Sequence, residues 1–358
     1  MALGLRRRRR QGPPIVQTLL VETTWRCNAA CAFCYNHWAR PHEAPPRREP
    51  RRGRSLKILK AAIRGTGCTS VAFTGGESTL RDDLCDLVAR ARLEGATASV
   101  LTNGALLDEA YARDLHRVGC GLVQLTFCGV EAEAHDALCG EGSFDGTVRA
   151  LEAIRREGMD LGLTFVVTAQ NVEHAARFPA FAKEAGQKEL LLNRFNPGGR
   201  GAGSHLELLP SLAALETMLA AVDQAAAATG VRPFVAVPIM PCLIAFTSYP
   251  HIDFASGCAA GTRNAYYTVD PWGDVRFCNH TPTVLGNVLE TPFDAIAAAP
   301  ALAAFREARP PFCAGCPGWD VCRGGCRAAS QQVWGRADVE DPLLKACLDR
   351  GEIAPPGG

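Results

Sequence analysis

The chain has 358 residues, of which 47% are apolar and 21% charged, and its formal net charge is +1. This length and composition predict a globular protein with one large and one smaller domain, and the near-neutral charge argues against a nucleic-acid-binding surface over the whole chain. Neither a transmembrane helix nor a signal peptide is predicted, because no stretch approaches about 18 unbroken apolar residues and no apolar segment follows the basic start.

Sixteen cysteines are too few for a disulfide scaffold in a chain of this length. They indicate metal or redox chemistry in a reducing compartment, so we expect a cytoplasmic protein with neither membrane nor nucleic acid as a partner. Two basic runs are present, residues 6–10 and the arginines at positions 47, 48, 51, 52 and 54. Such runs are usually solvated, and residues 1–14 are expected to form a disordered basic tail; a docking patch for an acidic peptide or partner is the alternative.

Strand-like and helix-like segments alternate from residue 15 onwards. The predicted strands are 17–23, 70–74, 98–102, 122–127, 161–168 and 189–195. The predicted helices are 55–64, 80–93, 108–118, 145–157, 172–185 and 211–228. This alternation predicts parallel strands with right-handed crossovers. The expected fold class is α/β, with a partial (β/α)6 TIM-like barrel over residues 15–237, a linker over 238–247, and a small cysteine-rich domain that ends near residue 350.

Cys27, Cys31 and Cys34 follow the first predicted strand with the spacing C-x3-C-x2-C. One loop with this spacing can place three thiolates on three irons of a 4Fe-4S cluster, which leaves the fourth iron without a protein ligand. The alternative is a zinc loop in which His37 supplies the fourth ligand. The position favours a reactive site, because active sites of such barrels lie at the carboxyl ends of the strands.

Other predicted strand ends carry polar or flexible residues. Gly75, Gly76 and Glu77 follow the second strand, where the glycines allow close backbone approach and the carboxylate can accept a hydrogen bond from an ammonium group. Thr126 and Arg194 lie at the ends of the fourth and sixth strands. Taken alone, a Gly-Gly-Glu turn is weak evidence for a ligand site.

At Cys27, Cys31, Phe33 and Cys34 the chain resembles the radical S-adenosylmethionine (radical SAM) enzymes, whose cysteine motif carries an aromatic residue before the third cysteine. The resemblance implies that the open iron binds SAM and that its cleavage yields a 5′-deoxyadenosyl radical. It also implies which residues contact SAM. These are Phe33 of the signature, Gly75, Gly76 and Glu77 at the amino group, Thr126 near the ribose or carboxylate, and Arg194 facing SAM or substrate.

Cys128 stands where this family usually has an aspartate, two residues after Thr126. A packed, inert thiol is one interpretation of Cys128, and a hydrogen-atom donor near the reaction centre is the other. Cys68, Cys85, Cys120 and Cys139 match no ligand pattern and are interpreted as core or surface thiols.

Seven further cysteines have a second set of spacings. They are Cys258, Cys278, Cys313, Cys316, Cys322, Cys326 and Cys347, in the pattern C-x14-G-x4-C, then C-x2-C-x5-C-x3-C, then a last cysteine. This pattern resembles the SPASM domain, an auxiliary iron-sulfur extension of certain radical SAM enzymes, over residues 238–350. A pair of zinc sites is the alternative.

The SPASM resemblance implies two auxiliary 4Fe-4S clusters, and therefore three clusters with the SAM-binding one. Cys313, Cys316, Cys322 and Cys347 complete one cluster, while Cys258, Cys278 and Cys326 leave the other with one ligand position unassigned. That position is either open or filled by Cys242, the nearest upstream cysteine.

Enzymes with this domain pair mostly modify ribosomally made peptides, so the resemblance implies a peptide maturase. The outcome could be a thioether or carbon-carbon crosslink, epimerisation, decarboxylation or backbone excision. A separate leader-recognition protein and a ferredoxin- or flavodoxin-type electron donor are the expected partners. The alternatives are a sulfatase-type maturase, a cofactor-building enzyme and, more distantly, a non-catalytic zinc or iron-sulfur protein. The sequence identifies no catalytic side chain.

Overall fold

A computed structural model describes residues 15–39, 48–262 and 264–354. The predicted basic tail at residues 1–14, and Arg47 of the second basic run, lie outside these ranges. The strands within them are β1 (Thr18–Thr24), β2 (Ser70–Gly75), β3 (Thr97–Thr102), β4 (Cys120–Phe127), β5 (Asp160–Val167), β6 (Glu189–Arg194), β7 (Arg232–Val235), β8 (Asp253–Phe254), β9 (Tyr267–Val269), β10 (Asp274–Arg276) and β11 (Val284–Asn287).

Helices alternate with the first strands and cluster again near the end of the chain. They are α1 (Arg52–Thr66), α2 (Leu84–Leu93), α3 (Glu109–Arg117), α4 (Ala132–Cys139), α5 (Ser143–Arg156), α6 (Phe178–Glu184), α7 (His205–Leu208), α8 (Leu212–Thr229), α9 (Phe293–Ala297), α10 (Pro300–Glu307), α11 (Trp319–Cys322), α12 (Arg327–Trp334) and α13 (Pro342–Asp349). In the described ranges, none combines the length and the apolar character needed to cross a lipid bilayer.

The described strands form one sheet in the order β11-β10-β9-β1-β2-β3-β4-β5-β6-β7-β8. Strands β1 to β8 are parallel to their neighbours, β9 is parallel to β1, and β10 and β11 are antiparallel additions. The two ends of this order do not pair with each other, so the sheet stays open. The predicted partial barrel is confirmed, with all six predicted strands present as β1 to β6.

The sheet is larger than the sequence predicted. Strands β7 and β8 extend one edge, and β9 to β11 extend the other, although the sequence analysis assigned no strand after residue 195. Helices α4 and α7 were also not predicted. Residues beyond 237 thus pair with β1 at one edge, through β9, and with β7 at the other, through β8. The division into domains at residues 237 and 238 stays a prediction.

One face of the sheet is apolar, whereas the other carries polar residues such as Gln124 and Thr126. Phe73, Val100, Leu125 and Phe165 on four neighbouring strands are fully buried. Because β1 to β6 are parallel, their carboxyl ends meet at one edge, and the segments that follow them converge there. Every strand-end residue singled out from the sequence therefore lies at or near this edge.

Candidate active site and cysteine groups

A cavity of about 710 Å³ opens at the carboxyl ends of β1 to β4. This volume is in the range typical of small-molecule sites. The cavity brings together eight of the residues selected from the sequence, which are Cys27, Cys31, Phe33, Cys34, Gly75, Gly76, Glu77 and Thr126. The three cysteines of one loop thus face the Gly-Gly-Glu segment of the next strand across one space.

The cysteine loop follows β1 without regular secondary structure and is held by backbone contacts on both sides. The Ala32 N–H donates to the carbonyl of Leu138 at 2.9 Å, which fixes the loop to the end of α4. On the other side, the N–H of Gly201 donates to the carbonyl of Cys34 at 3.1 Å. Gly199 adopts a φ of +49°, and a Cβ there would lie 2.1 Å from the Asn36 carbonyl. The glycine-rich segment after β6 therefore packs directly against the cysteine loop.

The three loop thiols differ in exposure. Cys27 is exposed, whereas Cys31 and Cys34 are half-buried. Partial desolvation by the surrounding loop raises the pKa of Cys27 to about 11, and burial raises the pKa of Cys34. A hydrogen bond with Cys139, followed by burial, raises the pKa of Cys31. In the absence of a bound cation, all three are neutral thiols near neutral pH.

The fold itself requires glycine at positions 75 and 76, at the end of β2. A Cβ on Gly75, whose φ is +132°, would lie 2.3 Å from the Thr24 carbonyl, and one on Gly76 would lie 2.1 Å from the Arg26 carbonyl. The N–H groups of Gly76 and Glu77 donate to these same carbonyls at 2.8 and 2.9 Å. The backbone that approaches the glycines is thus the start of the cysteine loop, and their small size sets the separation between the two segments.

Glu77 is 1% exposed, and four protein donors surround its carboxylate. The Oε1 atom accepts hydrogen bonds from the backbone and hydroxyl of Thr79 at 3.0 and 2.7 Å, and from the hydroxyl of Thr102 at 2.6 Å. The Oε2 atom accepts one, from the N–H of Asn103 at 2.8 Å. Each carboxylate oxygen has two lone pairs, so Oε2 retains capacity for one further donor from the cavity.

The cavity also contains residues that the motif analysis missed. They include Trp25, His135, Cys139 and Arg200. Burial lowers the pKa of His135 to about 4, so this ring is neutral near pH 7. Cys128, by contrast, is 0% exposed and is not among the cavity-lining residues. The thiol that faces the cavity is Cys139, at the end of the unpredicted helix α4.

Arg194 does not line the cavity, in contrast to the expectation that it faces SAM or substrate. Its Nη2 atom lies 2.5 Å from Oδ2 of Asp341, and both side chains are at least 98% buried. Its Nε atom donates to the carbonyl of Pro238 at 2.9 Å. The guanidinium therefore connects the end of β6 to the C-terminal part of the chain.

Cys258, Cys278 and Cys326 lie within electrostatic range of one another. Burial raises the pKa of Cys278 to about 11, with the Cys258 charge contributing, and raises that of Cys326 to about 12, with both other thiols contributing. The Asn196 amide donates to Cys326 Sγ at 3.1 Å, and the His280 N–H donates to Cys278 Sγ at 3.2 Å. Such N–H donors to sulfur are characteristic of cluster-binding thiolates.

Cys313, Cys316 and Cys322 form a second group, and the structure adds Cys242 to it. Burial raises the pKa of Cys242 to about 11, with the charges of Cys322 and Cys316 contributing. The sequence analysis instead considered Cys242 for the group around Cys258. Cys347 is fully buried in α13, and burial, then a hydrogen bond with Glu352, raises its pKa to about 12. Within the described residues, no three His, Cys, Asp or Glu side chains converge on a single metal-ion position.

The second arginine run flanks a separate, wider depression. Arg48, Arg51 and Arg52 line it together with Arg26 and Arg81. Three of these arginines are paired: Arg26 with Glu49 at 3.3 Å, Arg52 with Asp86 at 2.7 Å, and Arg81 with Asp83 at 2.6 Å. The acidic neighbours therefore offset much of the positive charge of this surface.

Comparison with known proteins agrees with this arrangement. The family model described as the radical SAM superfamily matches residues 21–182, and the SPASM iron-sulfur cluster-binding domain matches residues 258–317. The chain is 28% identical over 363 residues to the PqqA peptide cyclase of Granulibacter bethesdensis, covering 94% of this chain and 92% of that relative. It is 31% identical over 339 residues to the mycofactocin maturase MftC of Mycolicibacterium smegmatis, covering 90% of this chain and 80% of that relative.

A solved structure shares the fold. The structure of Streptococcus suis SuiB bound to precursor peptide SuiA has a TM-score of 0.70 at 17% identity, and the match covers 92% of this chain and 75% of that one. The family matches confirm the resemblance indicated by the two cysteine patterns. The chain belongs to the radical SAM superfamily and carries a SPASM domain, and it is therefore an enzyme that uses SAM and 4Fe-4S clusters.

Proposed function

We propose that this enzyme modifies a ribosomally made peptide, starting from SAM bound in the 710 Å³ cavity. One observation carries the location of the chemistry: the thiols of Cys27, Cys31 and Cys34 and the Gly75–Glu77 segment line the same space. These three thiols would hold a 4Fe-4S cluster, which would supply the electron for cleavage of SAM to the 5′-deoxyadenosyl radical.

The chain's own residues fit this assignment. The remaining acceptor capacity of Glu77 Oε2 suits an ammonium group, and the four donors around the carboxylate hold it in place. Thr126 supplies a hydroxyl on the cavity wall, and Phe33 supplies an apolar surface. Stacked Trp25 and Trp38, whose ring centroids are 4.7 Å apart, limit water at the cavity rim. Arg194 is left out, because Asp341 already pairs with its guanidinium.

The test of this site compares wild type with Cys31→Ser after anaerobic reconstitution. Wild type is expected to contain iron and sulfide and to form 5′-deoxyadenosine with SAM and dithionite. Cys31→Ser is expected to lose this product at least ~100-fold, because one of three cluster ligands is removed. Cys85→Ser, in α2 and not among the residues that line the cavity, is the control and should match wild type. Cleavage of SAM by Cys31→Ser at the wild-type rate, or a colourless zinc-loaded wild type, would overturn the assignment.

We propose two auxiliary 4Fe-4S clusters, one on Cys258, Cys278 and Cys326 and one on Cys313, Cys316, Cys322 and Cys347. The electrostatic proximity among Cys258, Cys278 and Cys326, that among Cys313, Cys316 and Cys322, and the N–H donors to Cys278 and Cys326 support them, while Cys347 is included on the spacing pattern alone. Wild type should then hold about twelve irons per chain. Cys347→Ala and Cys242→Ala separate the two possible fourth ligands of the second cluster. If only Cys347→Ala loses about four irons, Cys347 is the fourth ligand. If only Cys242→Ala loses them, Cys242 takes that position instead.

The substrate class comes from the relatives. One of them is named PqqA peptide cyclase and another mycofactocin maturase, and a structure with the same fold was solved with a precursor peptide. The name of the first relative favours a ring-forming crosslink among the possible modifications. We further propose a separate leader-recognition protein, a ferredoxin- or flavodoxin-type electron donor, and a cytoplasmic location, which the sixteen free cysteines support.

The substrate proposal is tested with short peptides encoded beside the gene. Each is incubated with reconstituted enzyme, SAM and dithionite, and its mass is followed. A loss of two hydrogens in one peptide, absent with Cys31→Ser, supports a crosslink. The sulfatase-type maturase would be favoured by a different result. In that case the enzyme cleaves SAM, changes the mass of none of the neighbouring peptides, and converts sulfatase-derived peptides instead.

A further inference from the structure

Two thiols that take no part in the proposed cluster sites are in contact at the cavity wall. The Sγ atoms of Cys128, just after β4, and Cys139, the last residue of α4, are 3.7 Å apart. A disulfide has an S–S distance of about 2.05 Å. The two sulfurs must therefore approach each other by about 1.7 Å to form a covalent bond.

The two thiols differ in access. Cys139 lines the cavity, whereas Cys128 is 0% exposed behind it. A soluble reagent that enters the cavity reaches Cys139 first, and Cys128 is then the nearest thiol to the modified sulfur. This is the arrangement of an attacking and a resolving cysteine.

The backbone around the pair is fixed. The Cys128 N–H donates to Nδ1 of His135 at 3.2 Å, and the Cys128 carbonyl accepts from the Asn171 amide at 2.5 Å. The end of α4 is held by the bond between Ala32 N–H and Leu138 carbonyl, at 2.9 Å. Both cysteines are thus held from two sides while their side chains touch.

Cys139 also contacts the proposed cluster loop. Cys31 and Cys139 line the same cavity, and the Leu138 carbonyl next to Cys139 accepts from the N–H of Ala32, next to Cys31. The redox state of the pair is in this way connected to the loop that holds the SAM-binding cluster.

We propose that Cys128 and Cys139 are a redox-active dithiol in the wall of the SAM cavity, which small disulfide reagents of the glutathione class convert reversibly to a disulfide. In the first step the Cys139 sulfur attacks glutathione disulfide, forms a mixed disulfide and releases one glutathione. In the second step the Cys128 sulfur attacks Cys139 and releases the other glutathione. The pair loses two electrons and two protons, and both appear in the two glutathione thiols.

The experiment uses the anaerobically reconstituted full chain. After incubation with glutathione disulfide, free thiols are alkylated with iodoacetamide and the protein is digested. Both cysteines lie in one tryptic peptide, residues 118–149, together with Cys120, and cleavage after Glu131 or Glu133 separates Cys128 from Cys139 unless they are bonded. We expect the two fragments to remain linked and 2 Da lighter than the reduced pair, alkylation of Cys139 to fall at least ten-fold, and dithiothreitol to reverse both effects.

Three variants make the result specific. Cys128→Ser should leave Cys139 as a stable mixed disulfide with glutathione, and Cys139→Ser should leave Cys128 free. Cys120→Ser, which removes the third cysteine of the same peptide, should form the link as wild type does. Recovery of wild-type Cys139 only as the mixed disulfide, absence of any modification, or a link that requires Cys120 would overturn the proposal. Iron content and SAM cleavage before oxidation are measured separately, so failure of the proposed function is not confused with this result.

Discussion

Single side chains in this enzyme serve the fold and the site together. Glu77 joins β2 to β3 through its bonds with Thr102 and Asn103, and it also faces the cavity. A buried carboxylate is tolerated there because four donors surround it. The same donors orient it, so the acceptor offered to a ligand is already in position before binding.

Glu77→Gln is therefore expected to weaken both roles. The carboxylate accepts hydrogen bonds only, whereas the amide nitrogen of glutamine would face another donor. We expect this to lower the free energy of unfolding by about 1–3 kcal/mol and the affinity for SAM at least ~10-fold. Chemical denaturation and equilibrium dialysis with SAM measure the two effects. Glu109→Gln, at an exposed surface pair with Arg156, is the control and should change stability by less than about 0.5 kcal/mol. Unchanged SAM affinity in Glu77→Gln would contradict this role.

His135 makes stability depend on pH. Burial lowers its pKa to about 4 in the folded state, below the value of 6.5 in the unfolded chain. Between these values the unfolded state binds a proton that the folded state does not, so stability falls as the pH falls. From pH 6.5 to 5.5 the loss due to this residue is about 1 kcal/mol. Denaturation at the two pH values should show a smaller loss in His135→Gln, and an equal loss would rule out His135 as the source.

At the scale of elements, one buried ion pair connects the barrel to the C-terminal region. Asp341 pairs with Arg194 at the end of β6, caps α13 through the Leu343 N–H at 2.8 Å, and accepts from the Cys326 N–H at 2.7 Å. A single carboxylate therefore fixes a strand end, a helix start and the backbone of a proposed cluster ligand.

Arg194→Met is expected to cost about 3–5 kcal/mol, because Asp341 is left as a buried, unpaired charge. The exposed pair Arg232–Asp253 provides a matched control, and Arg232→Met should cost less than about 1 kcal/mol. Both are measured by chemical denaturation under anaerobic conditions. If both substitutions lower the free energy of unfolding equally, the buried pair stabilises the fold no more than the exposed pair does.

The predictability of each element follows from its length and its contacts. Strands β1 to β6 have six to eight residues rich in β-branched and apolar side chains, and all six were predicted. Strands β7 to β11 have two to four residues, too few to show a period, and β7 contains Pro233, which argues against a strand in sequence terms. The cysteine loop was recognised by spacing. Cys139 and the partner of Arg194, 147 residues away, carry no local pattern and needed the fold.

At the scale of the whole molecule, the C-terminal region of the chain extends the sheet at both of its edges. Residues of the proposed SPASM region contribute β8 to one edge and β9 to β11 to the other. The buried pair of Arg276 on β10 with Glu22 on β1 adds a side-chain link to this second junction. The cysteine-rich region is therefore part of the same sheet as the strands whose carboxyl ends surround the proposed SAM cavity.

A chain ending at residue 237 is expected to be insoluble. It leaves β1 and β7 as unpaired edges, and exposed edges of this kind pair with other chains. Sedimentation and size-exclusion chromatography should show aggregates for the truncated chain, in contrast to the full one. A monodisperse truncated protein with cooperative unfolding would instead show that the barrel folds by itself.

Because β1 pairs with β9, the sheet cannot be completed until late in the synthesis of the chain. The partner of β1 on its other side, β9, is encoded some 240 residues later, since β1 ends at Thr24 and β9 begins at Tyr267. At about 5–20 residues per second, the nascent chain waits on the order of 12 to 50 seconds for that partner. During that interval β1 has an unpaired edge that can bind other chains. Co-expression of a chaperone that binds nascent chains is therefore expected to raise the yield of soluble enzyme in a heterologous host.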